Sequence, residues 1–207
     1  MKIFKIIAFL GILTFFGNSI NAQRLSINLG ISNNSASFPI SGYPTLFTDA
    51  FHPGLSIGLQ KELNKSEKHV ISVSGIIDGY HHQHLQTLVR IYPNLSYNLH
   101  FTDKISALAG LGLGYGMSFE GENSFNKDSN NLYETKSFLN FRSQWIAALN
   151  WGLEYKFNRD TANGVSVYAQ FITYLQGTFV DSYVPFLPLN SIEAGIRMPL
   201  KMNENEE

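Results

Sequence analysis

Residues 89–101 read VRIYPNLSYNLHF. Val89, Ile91, Pro93, Leu95, Tyr97, Leu99 and Phe101 fall on one side of an extended chain, and Arg90, Asn94, Ser96, Asn98 and His100 fall on the other. Successive side chains of a strand point to opposite faces, so this alternation gives one apolar and one polar face. A soluble strand with one solvated face does not need an apolar face this long.

The pattern repeats along the chain. Leu25, Ile27, Leu29 and Ile31 alternate with Ser26, Asn28, Gly30 and Ser32. Further on, Trp145, Ala147, Leu149, Trp151, Leu153, Tyr155 and Phe157 oppose Gln144, Asn150, Glu154 and Lys156. Near the end, Ile192, Ala194, Ile196, Met198 and Leu200 oppose Ser191, Glu193, Gly195 and Arg197. Alternation and turn residues together predict eight strands, near 24–33, 53–63, 69–80, 87–100, 105–119, 142–157, 165–179 and 189–200. The links at 64–68, 101–104 and 158–164 are short, whereas those at 34–52, 120–141 and 180–188 are longer and 81–86 breaks the rule. Only helices or closed barrels satisfy every backbone group in lipid, and no later segment has the unbroken hydrophobicity of a spanning helix. The fold class expected is therefore all-β, a single eight-stranded antiparallel up-and-down transmembrane barrel.

Lys2 and Lys5 precede the apolar run 6–16, and Ser19, Ile20, Asn21 and Ala22 offer a small residue at a cleavage point. This has the form of a cleaved export signal. A spanning helix needs about 20 apolar residues, and Gly17, Asn18, Ser19 and Asn21 interrupt this run too soon. The expected division is a signal peptide at 1–22, a barrel at 23–200 and a disordered charged tail at 201–207. Losing the signal leaves 13 basic and 16 acidic side chains, a net charge of −3, with no basic surplus for nucleic acid. The absence of cysteine removes disulfides, thiolate metal sites and a lipid-bearing cysteine.

Two aromatic rims are expected where the apolar faces meet water, Tyr97, Phe101, Tyr155 and Phe157 at one and Tyr115, Phe119, Trp145 and Phe179 at the other. Inside, Gly110, Gly112, Gly114 and Gly116 line one strand. Hairpin closure at 102–104 sets Arg90 opposite Gly116 and Tyr92 opposite Gly114, leaving room for a guanidinium and a phenol. The preceding hairpin sets Asp78 beside Arg90. An eight-stranded barrel is just wide enough to be filled by side chains. A polar plug of Asp78, Arg90 and Tyr92 is expected, joined lower down by Glu62, Glu154, Lys156, Glu193 and Arg197. Pro93 removes a ladder donor, so a bulge is expected there.

Evidence for chemistry is thin. His81, His82 and His84 cluster at the external end of two strands, but alternation sends the first two to opposite faces and no carboxylate run completes a metal site. Loop 120–141 carries Glu120, Glu122, Asp128 and Glu134 without the spacing of a calcium loop. Loop 34–52 contributes Phe38, Pro39, Tyr43, Pro44, Phe47 and Phe51, either a partner-binding surface or packing across the barrel mouth. No nucleophile elbow or phosphate loop is present. No catalytic, cofactor-binding or metal residue is assigned, and no enzyme or cofactor is expected.

The strands and the terminal segment IEAGIRMPL, residues 192–200, resemble the outer membrane protein β-barrel families of Gram-negative bacteria, including small outer membrane protein A- and X-like and porin-like barrels. That family usually ends in an aromatic residue, whereas Leu200 is followed by a tail. The resemblance implies a cell outer membrane location, contact with its lipids and recognition of the last strand by the barrel-insertion machinery. The function expected is a structural or interaction scaffold presenting loops 34–52 and 120–141 to an extracellular or envelope partner. The alternatives are a lipid-modifying enzyme, a small-solute channel and a soluble lipocalin-like binder with its apolar face turned inward.

Overall fold

The period-two segments form a closed antiparallel barrel in a computed structural model. It describes residues 24–64, 66, 68–82, 86–119, 125–127, 133–135, 141–157, 164–180 and 184–200. The export signal and charged tail lie outside those residues, as does most of 120–140. The strands are β1 (Leu25–Ser35), β2 (Pro53–Glu62), β3 (His69–His82), β4 (Gln86–His100), β5 (Ile105–Phe119), β6 (Phe125–Lys127), β7 (Tyr133–Thr135), β8 (Phe141–Lys156), β9 (Ser166–Val180) and β10 (Val184–Leu200). One short helix, α1 (Thr45–Thr48), lies between β1 and β2. The barrel order is β1-β10-β9-β8-β5-β4-β3-β2, and β6 and β7 make a separate hairpin.

Closure is by β1, which pairs with β10 on one edge and β2 on the other. Following partners once around, from Ser35 through Asn190, Thr173, Leu149, Leu111, Leu95, Val73 and Lys61, returns to Leu25, a stagger of ten residues. With strand spacing of ~4.8 Å and a rise of ~3.3 Å per residue, this stagger tilts the strands by about 40°.

The two faces are inverted relative to a soluble protein. Leu95, Trp151 and Ile196 are 54%, 44% and 39% exposed, whereas Arg90 and Glu193 are 2% and 5% exposed. Buried charge beneath an exposed apolar wall is stable only if the wall faces hydrocarbon. The apolar face therefore lies outside, opposite to what a lipocalin-like binder requires. Among the described residues no helix is long and apolar enough to cross a membrane.

Three expectations need correction. The last strand begins at Val184 rather than near 189, with a register irregularity between Val184 and Phe186, so the connection expected at 180–188 shrinks to a few residues. Pro93 makes no bulge: the β4–β5 register is the same at Ile91↔Tyr115 and Asn94↔Gly112, and only the intervening pairings drop out. The proline nitrogen points toward β5, while Gly75↔Pro93 pairing with β3 is kept. The interior is also less polar than expected, because Leu88, Ile146, Ile172 and Leu189 form an apolar layer with Tyr80, Tyr92 and Tyr174.

Candidate functional site

At mid-barrel, β3 and β4 place Asp78 directly across from Arg90, as hairpin arithmetic requires. Arg90 Nε donates to Asp78 Oδ1. Its guanidinium lies 3.6 Å from the Tyr174 ring centroid and 5.3 Å from that of Tyr80. Tyr174 donates to the other Asp78 oxygen at 3.1 Å, and its hydroxyl lies 3.2 Å from that of Tyr92. Both carboxylate oxygens thus have donors, which a buried carboxylate needs.

The glycine face of β5 makes room as expected for one group and not the other. A Cβ on Gly114 would meet Tyr92 Cβ and the Ile91 carbonyl oxygen at 2.3 Å, and one on Gly112 would meet the Tyr92 ring at 2.7 Å. The phenol therefore occupies the expected gap. The space beside Gly116 is taken by Ile146 and Leu88 instead of the guanidinium, which turns toward Tyr174 because Asp78 holds it from the β3 side.

Below this centre, Arg197 Nη1 bonds Glu154 Oε2 at 2.5 Å and its Nε donates to Asn28 at 3.0 Å. Lys156 Nζ lies 2.8 Å from His100 Nε2. Neutral donors hold the Glu193 carboxylate: Tyr168 at 3.0 Å and Gln170 at 2.9 Å. A polar cavity of about 40 Å³ beside Glu193 has room for roughly three waters. A second cavity of about 40 Å³ adjoins Glu62, His100, Glu154 and Lys156. Above the centre, an amide cluster escaped the sequence reading. Gln86 and Gln176 exchange 3.1 Å bonds, Gln176 also donates to Gln144, and Ser118 donates to Gln86. Inward alternation on β9 through Tyr168, Gln170, Ile172, Tyr174 and Gln176 carried the signal, but its mixed polarity hid it.

At the external rim the histidines separate. His81 Nδ1 lies 2.8 Å from Thr87 Oγ1, while the His82 ring stacks on His52 with centroids 3.7 Å apart. His84 lies outside the described residues, among which no group of three or more His, Asp or Glu side chains is placed to hold a metal ion. Glu120, Glu122 and Asp128 also lie outside them, and Glu134 sits in the β6–β7 hairpin.

Loop 34–52 does not cross the barrel mouth. It folds down the outer wall. Tyr43 packs on Trp151 and Phe171 at centroid distances of 6.0 and 4.8 Å, and its hydroxyl lies 2.9 Å from Thr173 Oγ1. Asn190 donates to Ser37 Oγ and to the Phe38 carbonyl, and Asn33 donates to the Leu46 carbonyl at 2.7 Å. Mouth packing fails because the loop's polar groups find their partners on the outward register of β1, β9 and β10.

No protein-family model and no curated protein matches the chain. Among solved structures, it is similar to the Neisserial surface protein A, with a TM-score of 0.52 at 12% identity, covering 86% of this chain and 97% of that one. It is also similar to the outer membrane enzyme PagL, with a TM-score of 0.47 at 13% identity over 84% of this chain and 99% of that one. The attachment invasion locus protein Ail of Yersinia pestis gives 0.47 at 12% identity over 86% and 97%. At such identities the likeness is one of fold, and the first of them together with the inverted faces carries it. The chain is a transmembrane β-barrel with the fold of the small eight-stranded outer-membrane proteins.

Proposed function

We propose that this barrel is a membrane-embedded scaffold whose work is done on its outer surfaces, through segments 34–52 and 120–141, and not by catalysis or conduction in its interior. The observation that carries this reading is the filled barrel. The Asp78–Arg90–Tyr174 centre, the glutamine cluster above it and the Glu154–Arg197 pair below it occupy successive levels of the interior. The cavities beside them, at about 40 Å³ each, suit bound water rather than a solute path. A barrel stable around such a plug leaves its wall and loops to meet other molecules.

Trypsin treatment of intact cells, with membrane fractionation, tests this. Cleavage after Lys127 or Lys136 without permeabilisation is expected, with the barrel recovered in the outer-membrane fraction. Cleavage only after permeabilisation would overturn the external assignment. Planar-bilayer conductance above background would favour a channel, and an altered lipid A mass spectrum on expression would favour a lipid-acting enzyme.

A further inference from the structure

Four polar residues break the apolar register of the outer wall: Asn33 and Ser35 on β1, Thr173 on β9 and Asn190 on β10. Bare, they would face hydrocarbon. Instead Ser35, Thr173 and Asn190 are at least nine-tenths buried, and segment 36–51 covers them. Its polar groups turn toward the wall: Ser37, Tyr43 and Thr45 bond Asn190, Thr173 and Ser35. Its own backbone is internally satisfied by a run of turns, including Gly42 N to Phe38 O, Tyr43 N to Ile40 O, Leu46 N to Tyr43 O and Asp49 N to Thr45 O. Non-strand backbone needs such satisfaction to sit at membrane depth.

The opposite side of the segment is dominated by large apolar side chains, with Ser41, Thr48 and Asp49 also exposed. Phe38, Ile40, Phe47 and Phe51 are 78%, 56%, 69% and 70% exposed. Asp49 is the one charge in residues 36–51, and it returns to the top of β1 through Ser35. Ile40, a β-branched residue, is held at φ 59° with its side chain outward, a costly conformation for presenting an apolar group to water. The depth is also that of the wall. Tyr43 reaches Trp151, which Leu149 and Leu153 flank on the exposed face of β8, five residues above Lys156. At ~3.3 Å per residue and about 40° tilt, Trp151 stands about 13 Å above the inner end of that strand, within a belt about 25 Å tall.

We infer that segment 36–51 is a strap embedded in the outer leaflet, its polar side sealing the Asn33–Thr173–Asn190 patch and its Phe38, Ile40, Phe47 and Phe51 side chains contacting lipid acyl chains. The inference deepens the reading of 34–52 as an interaction surface and names its partner as lipid. Apart from Asp49 at its upper end, the segment continues the apolar surface of the barrel, and it replaces polar wall by aromatic and aliphatic groups.

The cysteine-free chain permits a direct test. Phe38→Cys, Phe47→Cys and Phe51→Cys are each labelled with a nitroxide in phosphatidylcholine/phosphatidylglycerol vesicles, with Leu95→Cys as wall reference and Asp103→Cys as turn reference. Paramagnetic resonance then compares collision with oxygen, which partitions into lipid, and with a water-soluble nickel chelate. Strap labels are expected to favour oxygen several-fold relative to Asp103→Cys, as Leu95→Cys does. Strap labels ranking with Asp103→Cys overturn the inference, and so does spin–spin broadening that disappears on dilution with unlabelled protein, which would assign the face to a second copy. All three sites are exposed, so each variant folds independently of the others, and only heat-modifiable protein is scored. Cell-surface cleavage in 120–141 is unaffected by this result, so failure of the strap and failure of the scaffold reading are distinguishable.

Discussion

Replacing Arg90 by Met tests whether the interior charges are a structural plug. Arg90 is 2% exposed and its carboxylate partner, Asp78, is 5% exposed. The substitution keeps most of the side chain's volume and removes its charge, so among the described residues Asp78 keeps the Tyr174 hydroxyl, at 3.1 Å, as its donor. Stranding one member of a buried pair costs about 3–5 kcal/mol. The contact between the guanidinium and the Tyr174 ring, at 3.6 Å, disappears with it and is worth up to about 2 kcal/mol when desolvated. These are overlapping losses, so Arg90→Met is expected to destabilise by about 3–5 kcal/mol in urea titrations of vesicle-reconstituted protein, followed by heat-modifiable migration. Asp78→Leu combined with Arg90→Met should recover at least about 2 kcal/mol, since an apolar pair strands no charge. Planar-bilayer conductance should stay at background throughout. Undiminished stability in the single variant, or a conductance that rises without loss of stability, would refute the plug.

The remaining expectations use the same urea titration. Gly114→Ala should destabilise by about 1–3 kcal/mol, because its Cβ would sit 2.3 Å from the Ile91 carbonyl oxygen and Tyr92 Cβ. Gly75→Ala, where a Cβ meets nothing within 4 Å, should stay within about 0.5 kcal/mol of the parent. Leu95→Arg places a cation on the lipid face and should cost about 2–4 kcal/mol. Glu154→Gln weakens the 2.5 Å bond from Arg197, which keeps its 3.0 Å bond to Asn28, so a loss of about 1.5–3 kcal/mol is expected, below that of Arg90→Met.

The barrel was legible because its physics is local. A period of two survives in every membrane-crossing segment, and short hairpins convert residue numbers into partners by simple addition, which is how Asp78↔Arg90 could be read directly. Pairing arithmetic does not say which way a long side chain leans. It correctly opposed Arg90 to Gly116, yet the guanidinium follows Asp78 and the rings of β3 and β9, and Ile146 from β8 fills the gap. Tyr174 was missed for a related reason: its partners Asp78, Arg90 and Tyr92 lie on β3 and β4, reached across the barrel axis and not along a ladder. Contacts across the axis depend on the stagger, and stagger emerges only when all eight pairings are known.

The course of loop 34–52 was illegible for the opposite reason, since its signal sat in the strands and not in the loop. Within 34–52, Pro39, Gly42 and Pro44 read as turn residues, and the aromatics fit either a mouth plug or an external surface. The deciding residues were Asn33, Thr173 and Asn190, each standing on the outward register of a strand where hydrocarbon is due. Taken singly, each looks like a tolerated lapse in alternation. Taken with the ladder, Asn190↔Thr173 are neighbours, Ser35 pairs with Asn190 and Asn33 stands two residues further along β1, so they form one patch. A contiguous polar patch facing lipid is costly unless something with matching donors and acceptors covers it. In a β-barrel of this kind, polar lapses that cluster after folding mark where non-strand chain lies against the wall. Substituting Thr173 and Asn190 together by Val and Leu should therefore loosen the strap while leaving the wall intact: Tyr43 loses the Thr173 hydroxyl, keeping only the bond from Trp151 Nε1 among the described residues, and Ser37 loses its amide donor. The expected readout is increased mobility of a nitroxide at Phe47→Cys with an unchanged urea midpoint for the barrel. An unchanged spectrum would mean that aromatic packing on Trp151 and Phe171 holds the strap without the polar patch.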